Sequence, residues 1–334
     1  MMMAGGTEEW EREMAVSSTR EATTSGMKRG VRVFLNIVII LVIVVYMLPV
    51  IYDGITSLKP WDAIFSVPPK VKFKPTIGSY IRLFYEIIDY PVGKEPSPEE
   101  VATMSWKDRI TWRDTNQKTS GLGIGLERFL NSVIISIVST FFSVLFGTLT
   151  AYAVSRFDFG GKEDIMFVIL STRFLPPIVV TIPLFLFYRY LGLTDSHLGL
   201  ILLYVAFNIS FATWVMRGFI DDIPVEYEEA AMVDGYTRLQ AFRKIVIPQA
   251  STGIAATTVF CFIFSWNEYA FALMMTSRKA QTFPVFVQGI KGSLGIDWGA
   301  IAAGTFLFII PVVIFTFLMR KYLLAGITFG AIRK

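Results

Sequence analysis

Of 334 residues, 53% are hydrophobic and 17% are charged, where a soluble chain carries about 45–50% and about 25%. Both departures point to a polytopic membrane protein. The net charge of +4 calls for no nucleic-acid partner, the lone cysteine Cys261 excludes an internal disulfide or cysteine metal cluster, and the lone histidine His197 excludes a two-histidine site.

Residues 1–32 read as a cytoplasmic N-terminal tail, polar and rich in Glu, Thr, Ser and Gly over its first 27 positions. A regulatory tail is the functional alternative. Lys28, Arg29 and Arg32 then precede 20 uncharged residues, 33–52, long enough for a ~30 Å hydrocarbon core. No small-x-small cleavage site follows, so 33–56 is expected to be a retained first transmembrane helix with its N-terminus inside. That orientation places the proline-rich loop 57–128 outside. Within it, Ile77 opens a stretch that reads as a short amphipathic helix lying on the outer face. Residues 97–110 read as one helix, with Ser97 as cap and Pro98 in the first turn. The loop either contacts an extracytoplasmic binding protein or packs on a partner subunit.

Five further spans are expected at 129–154, 165–187, 198–216, 252–275 and 298–319. The third is interrupted by Pro176, Pro177 and Pro183, tolerated where neighbours satisfy the freed carbonyls. Basic residues flank each inward end (Arg156, Arg217, Arg320, Lys321), although Arg189, Arg278, Lys279 and Lys291 fall outside. The expectation is an all-α membrane protein with six transmembrane helices and both termini cytoplasmic. Its permease core would be 129–319, a cytoplasmic loop would lie at 217–250 and a cytoplasmic C-terminal tail at 320–334.

Residues 221–249 stand out. They carry nine charges: Asp221, Asp222, Glu226, Glu228, Glu229, Asp234, Arg238, Arg243 and Lys244. At roughly 2.5–3.5 kcal/mol each, such residues do not lie mid-bilayer. Pro224 suits a first helical turn, Asp234-Gly235 a helix end, and Thr237 with Gln240 a capping box that restarts a helix. Leu239, Phe242, Ile245 and Val246 form an apolar stripe, and Pro248 stops or kinks it before the next span. The spacing fits a solvated hairpin and a docking element equally. With six acidic and three basic residues, it does not fit a DNA-binding helix-turn-helix.

At these residues a family resemblance enters. Glu229-Ala230-Ala231, then Gly235, then Ile245-Val246-Ile247-Pro248 resembles the EAA motif of ABC importer permeases, with Ile247 where the family usually has Leu. The wider runs IPVEYEEAAMVDG, SWNEYAFAL and YLLAGITFGAIRK resemble the sugar branch, the maltose-type inner permease; the resemblance covers 129–334. It implies a type I ABC importer permease fold whose cytoplasmic coupling helix docks on an ATPase, with Glu229, Ala230, Ala231, Asp234, Gly235, Ile245 and Pro248 in the coupling motif. It implies as partners a second permease, two ATPase subunits and an extracytoplasmic substrate-binding protein in a bacterial inner membrane. The cargo would be a sugar or polyol, and ATP and Mg would sit on the ATPase, with no cofactor on this chain. The C-terminal tail would either reach the ATPase dimer interface or rest at the headgroups on Arg333 and Lys334. Other cargoes (a glycerol phosphate derivative, a polyamine) and a stand-alone secondary transporter are the alternatives.

Catalytic motifs are absent. Gly160-Gly161-Lys162 continues with Glu163 and lacks a Walker hydroxyl, and H-E-x-x-H, C-x-x-C and G-x-S-x-G do not occur. No ATP hydrolysis is expected from this chain. Polar groups inside spans are the candidates for a substrate pathway, because they are expensive there. They are Arg173, Asn208, Trp266, Asn267, Glu268 and Tyr269. Aromatic faces beside hydrogen-bonding groups suit a sugar ring, while packing and subunit contact explain Trp266 to Tyr269 equally simply. Counted from their span ends, Arg173 and Glu268 differ in depth by roughly 12 Å, so no direct pair is expected.

Overall fold

The computed structural model describes residues 29–331 apart from 71, 92, 175 and 293–294. Residues 1–28 of the expected N-terminal tail 1–32, and 332–334 of the expected C-terminal tail 320–334, lie outside the described residues. The chain divides into two units, Met1–Ile55 and Thr56–Lys334. The first holds helix α1 (Arg29–Ser57) as far as Ile55, and its apolar side chains from Val33 to Leu48 are all exposed.

The second unit opens with a small folded layer. Helix α2 (Gly78–Phe84) leads into strand β1 (Tyr85–Asp89), then come α3 (Pro98–Thr103), α4 (Trp106–Thr115) and β2 (Gln117–Leu122). The strands pair antiparallel, Tyr85 opposite Leu122 and Asp89 opposite Gln117. Two expectations are corrected here. The Ile77 helix does not lie on a surface. Its Leu83 is buried with Phe283, Val287 and Ala303. The single helix expected over 97–110 is two. Ser97 and Glu100 make the anticipated capping box, but Met104 and Ser105 are extended and Ser105 caps α4 by accepting the N–H of Asp108. Arg82 locks the layer down. Its guanidinium pairs with Asp114, and Nε donates to Asp297 at 2.7 Å, with all three side chains at most 5% exposed.

The bundle follows. It comprises α5 (Gly125–Arg156), α6 (Lys162–Ser171), α7 (Pro177–Tyr190) and α8 (His197–Asp221), then a hairpin of α9 (Glu226–Val233) and α10 (Arg238–Ala241). After it come α11 (Ser251–Trp266), α12 (Ala270–Met275), α13 (Phe283–Gln288) and α14 (Trp298–Ala331). Helices α5 and α8 pack closest. Small side chains of α5 at Ser132, Ser136, Ser139, Ser143, Gly147 and Ala151 are buried, the pattern that lets membrane helices approach. At Gly147 an added Cβ would meet the Ala212 Cβ at 2.5 Å, so only glycine fits this crossing.

Among the described residues, four helices are long and apolar enough to cross a membrane: Val33–Ser57, Gly125–Arg156, His197–Asp221 and Trp298–Arg320. Two bent pairs, Lys162–Phe174 with Pro177–Tyr190 and Arg238–Gln249 with Ser251–Trp266, raise the total to six if each is one span. The fifth apolar stretch is not continuous to Met275 as expected. Helix α11 ends at Trp266, and the Glu268 carboxylate accepts the N–H groups of Phe271 and Ala272, starting α12.

The turn between α7 and α8 is clipped to the α12–α13 connection by Asp195. With φ of 51°, its carboxylate accepts the N–H groups of Ser277, Arg278, Lys279 and Ala280. Burial alone would raise this carboxyl; the four N–H donors outweigh it and hold it well below the usual carboxylate range. Because the folded-state value is lowered, the clip is fully present above the ordinary carboxylate range and is lost only as pH falls below it. Asp195→Ala is expected to speed hydrogen exchange of amides 277–280 about tenfold at neutral pH, and wild-type protection there should persist to about pH 4 and fade below.

Candidate functional site

The hairpin is assembled as the local signals dictate. Helix α9 ends in a Schellman turn. Gly235 has φ of 92°, its N–H donates to Met232 O at 3.1 Å, and the Tyr236 N–H donates to Ala231 O at 3.0 Å. The Thr237–Gln240 capping box then starts α10. The helical run continues through a π-helical stretch, Phe242–Val246, to Gln249. Pro248 lies inside that run. The break comes at Ala250, where the chain bends by 74° into α11. A π turn next to a proline that lacks an N–H accommodates the missing hydrogen bond.

Of the motif residues, Glu229, Ala230, Asp234, Gly235 and Pro248 are exposed, Ile245 is half-buried and Ala231 is buried. The expected apolar stripe is shorter than its sequence pattern. Phe242 and Val246 enter a core with Tyr152, Met216, Ile220 and Ile223, but Leu239 is 72% exposed. Val233 is 87% exposed, so the tip carries two large apolar side chains beside small ones.

Sequence reasoning missed the charge holding this hairpin. Arg156, the last residue of α5, is 4% exposed and its Nε donates to Glu228 Oε1 at 2.5 Å. The Tyr152 hydroxyl donates to Glu228 Oε2 at 2.7 Å, and Arg156 Nη2 donates to the carbonyls of Ile220 at 3.1 Å and Ile223 at 2.7 Å. Two adjacent glutamates thus have opposite fates, Glu228 buried and Glu229 exposed. The available signal was a basic residue closing one span and an acidic residue two residues beyond the exposed start of the hairpin's first helix.

A second polar site lies midway along α8. Arg173, Tyr204, Asn208, Ser265 and Glu268 line a cavity of about 260 Å³ with Phe264 and Phe271. Arg173 Nη1 donates to Phe207 O at 3.1 Å and Asn208 Oδ1 at 3.3 Å, and its guanidinium lies 4.4 Å from the Phe264 ring centroid. Asn208 Nδ2 donates to Ser265 Oγ at 2.9 Å, and Ser139 Oγ to the same oxygen at 3.1 Å. Glu268 accepts from the Tyr204 hydroxyl at 3.0 Å. Arg173 and Glu268 share the cavity without an ion pair among the described residues. The other sequence candidates stand elsewhere. Trp266 is buried in packing, its ring stacked 4.9 Å from Phe308 and its Nε1 donating to Phe308 O. Asn267 donates to Ile263 O at 2.8 Å at the end of α11, and Tyr269 is partly exposed outside the cavity. Tyr204, Ser265 and Ser139 were not anticipated; Tyr204 lies one helical turn before Asn208, the signal that would have found it.

The profile of the family described as "Binding-protein-dependent transport system inner membrane component" matches residues 143–328, a stretch holding the hairpin and most of the cavity. The chain belongs to this family. A probable ABC transporter permease protein of Sinorhizobium fredii is 30% identical over 86% of this chain and 91% of its own length. A trehalose transport system permease protein of Mycobacterium tuberculosis is 37% identical over 61% of this chain and 76% of that protein. A trehalose/maltose transport system permease protein of Thermococcus litoralis is 29% identical over 90% and 97%. Among solved structures, a bacterial ABC transporter involved in import of the acidic polysaccharide alginate shares the fold, with a TM-score of 0.65, 22% identity, and coverage of 89% of this chain and 98% of that chain. The protein is an ABC importer permease subunit of the membrane, a transport component and not an enzyme.

In this permease Asn208 is the hub of the cavity. Asn208→Leu leaves Arg173 and Ser265 each short of a partner and is expected to destabilise the subunit by about 1–3 kcal/mol, read as a lowered thermal midpoint in detergent. Asn208→Asp, which still accepts from Arg173, should lose less.

Proposed function

We propose that the chain forms half of the translocation pathway of an ATP-driven importer for a sugar or polyol. The relatives named for trehalose, trehalose/maltose and diacetylchitobiose transport support the cargo class. In this reading the protein crosses a bacterial inner membrane six times with both termini cytoplasmic, each bent helix pair supplying one span and α11 alone crossing in the second pair. A second permease completes the pathway, an extracytoplasmic binding protein delivers cargo, and two ATPase subunits hold ATP and Mg. The 57–128 layer then lies outside and the hairpin lies in the cytoplasm. The cavity around Arg173, Asn208 and Glu268 is the part of the pathway this subunit contributes.

The observation that carries the coupling part is the hairpin tip. Glu229, Ala230, Val233 and Leu239 are exposed there, outside any lipid-length helix, while the base is fixed by buried charge. Small side chains permit close approach, large apolar ones offer area to a partner, and Glu229 offers a charge-assisted hydrogen bond. The geometry fits docking into a cleft of the ATPase.

Cysteines placed at Val233 or Leu239, in a background with Cys261 replaced by Ala, are expected to cross-link to the ATPase in the assembled complex; failure at both positions would overturn the docking. Gly235→Val forces a β-branched residue into a left-handed turn, a strain of about 1–3 kcal/mol. It is expected to leave the subunit inserted and to abolish cargo-stimulated ATPase activity. Cargo identity follows from a ligand screen on the cognate binding protein. Binding of a polyamine or a glycerol phosphate derivative in place of any sugar or polyol would overturn the cargo class.

A further inference from the structure

Three chain segments meet at one guanidinium. Arg156 closes α5, accepts company from α9 through Glu228, and caps the end of α8 through the carbonyls of Ile220 and Ile223. Helix C-termini carry unpaired carbonyls and partial negative charge, so a cation placed between the ends of α5 and α8 is favoured by both. Arg156 and Glu228 are 4% and 3% exposed. A buried, directional charge pair cannot slide as apolar surfaces can, because any shift leaves both charges without partners. Tyr152 extends the joint. Its hydroxyl holds Glu228, and its ring centroid lies 4.5 Å from that of Phe242 in the second limb of the hairpin.

The opposite junction is built differently. The hairpin passes to α11 through a π-helical stretch and a 74° bend. Among the described residues no ion pair joins the hairpin to α11. One side of the hairpin is clamped by charge and the other is an elbow. Helix α8 also carries cavity wall, Tyr204 and Asn208, and α5 reaches the cavity indirectly, through Ser139 bonded to the lining residue Ser265. From Ile220 to Asn208 is about 18 Å along one helix.

We propose that the Arg156–Glu228 pair is the joint through which displacement of the hairpin reaches α5 and α8, and through them the cavity, while α11 follows passively through the elbow at Ala250. Arg156 and Glu228 act as positioning residues, through the helices they join. The proposal rests on the coupling reading above and assigns its route.

The test uses the whole complex, with ATPase and binding protein, in lipid nanodiscs and proteoliposomes. Spin labels at Val233 on the hairpin and Leu149 on α5 report whether the two move together. In the parent, the Val233–Leu149 distance should be the same with and without ATP. In Glu228→Ala the ATPase should still co-purify, the distance should change with ATP, and uptake per ATP hydrolysed should fall about tenfold. Glu228→Gln, whose amide oxygen still accepts from Arg156, should keep more uptake than Glu228→Ala, and it carries the test if the alanine variant fails to accumulate. Uptake per ATP in Glu228→Ala within about twofold of the parent, or lost uptake with an unchanged distance, would overturn the joint. Loss of ATPase co-purification would reassign Glu228 to docking and also overturn it. Absence of cross-links from Val233 and Leu239 would instead defeat the docking reading, an outcome separate from these.

Discussion

A charge enclosed in an apolar protein must be met on every side, and Arg156 meets that demand by collecting groups from three segments. One is a carboxylate of the hairpin. The others are the carbonyls of Ile220 and Ile223, which close α8 and begin the hairpin. Beside these polar groups, and the Ser155 hydroxyl that also accepts from it, lies one buried apolar cluster with Ala151, Met216, Ile220, Phe242 and Val246. The apolar cluster supplies most of the burial, but its attraction is less directional than that of an ion pair. The guanidinium supplies the register. It fixes which face of α9 turns inward, and so which of Glu228 and Glu229 is left outside.

The same economy governs the cavity. Arg173 has no carboxylate partner among the described residues and is held by two neutral oxygens and the face of Phe264. Glu268 uses its oxygens on Tyr204 and on the first N–H groups of α12. Each charge is stabilised by dipoles of its own surroundings, so the two can line one space without collapsing onto each other.

What the sequence made legible follows from range. Caps and turns are decided within a few residues, so the Gly235 turn, the Thr237–Gln240 box and the Ser97–Glu100 box could be read directly. The apolar spans and the proline-interrupted third stretch were legible from composition. The pairing of β1 with β2 spans some thirty intervening residues and left no local pattern. The break after Trp266 was hidden because every residue from Ala270 to Met275 is apolar and Glu268 looked like a charge inside a helix, when it starts one. The polar set of the cavity was half legible. Arg173, Asn208 and Glu268 stood out as costly residues in apolar runs, whereas Ser265 and Tyr204, and Ser139 behind Ser265, are ordinary in membrane helices. Trp266 drew attention by type and proved to be packing. Glu228 was masked by its neighbour, since one residue of rotation on a helix decides burial and sequence spacing alone does not reveal it.

The crossing at Gly147 has a mechanical corollary. Backbones this close leave no slack, so α5 and α8 are held as one pair at that level. Helix α11 meets this pair through apolar packing of Cys261 with Val144 and Ala212, and through single hydroxyl contacts such as Ser139 to Ser265. Those contacts are cheap to exchange for water. Helix spacing thus makes the α5–α8 contact the stiffer seam and leaves α11 the one whose polar contacts can be exchanged.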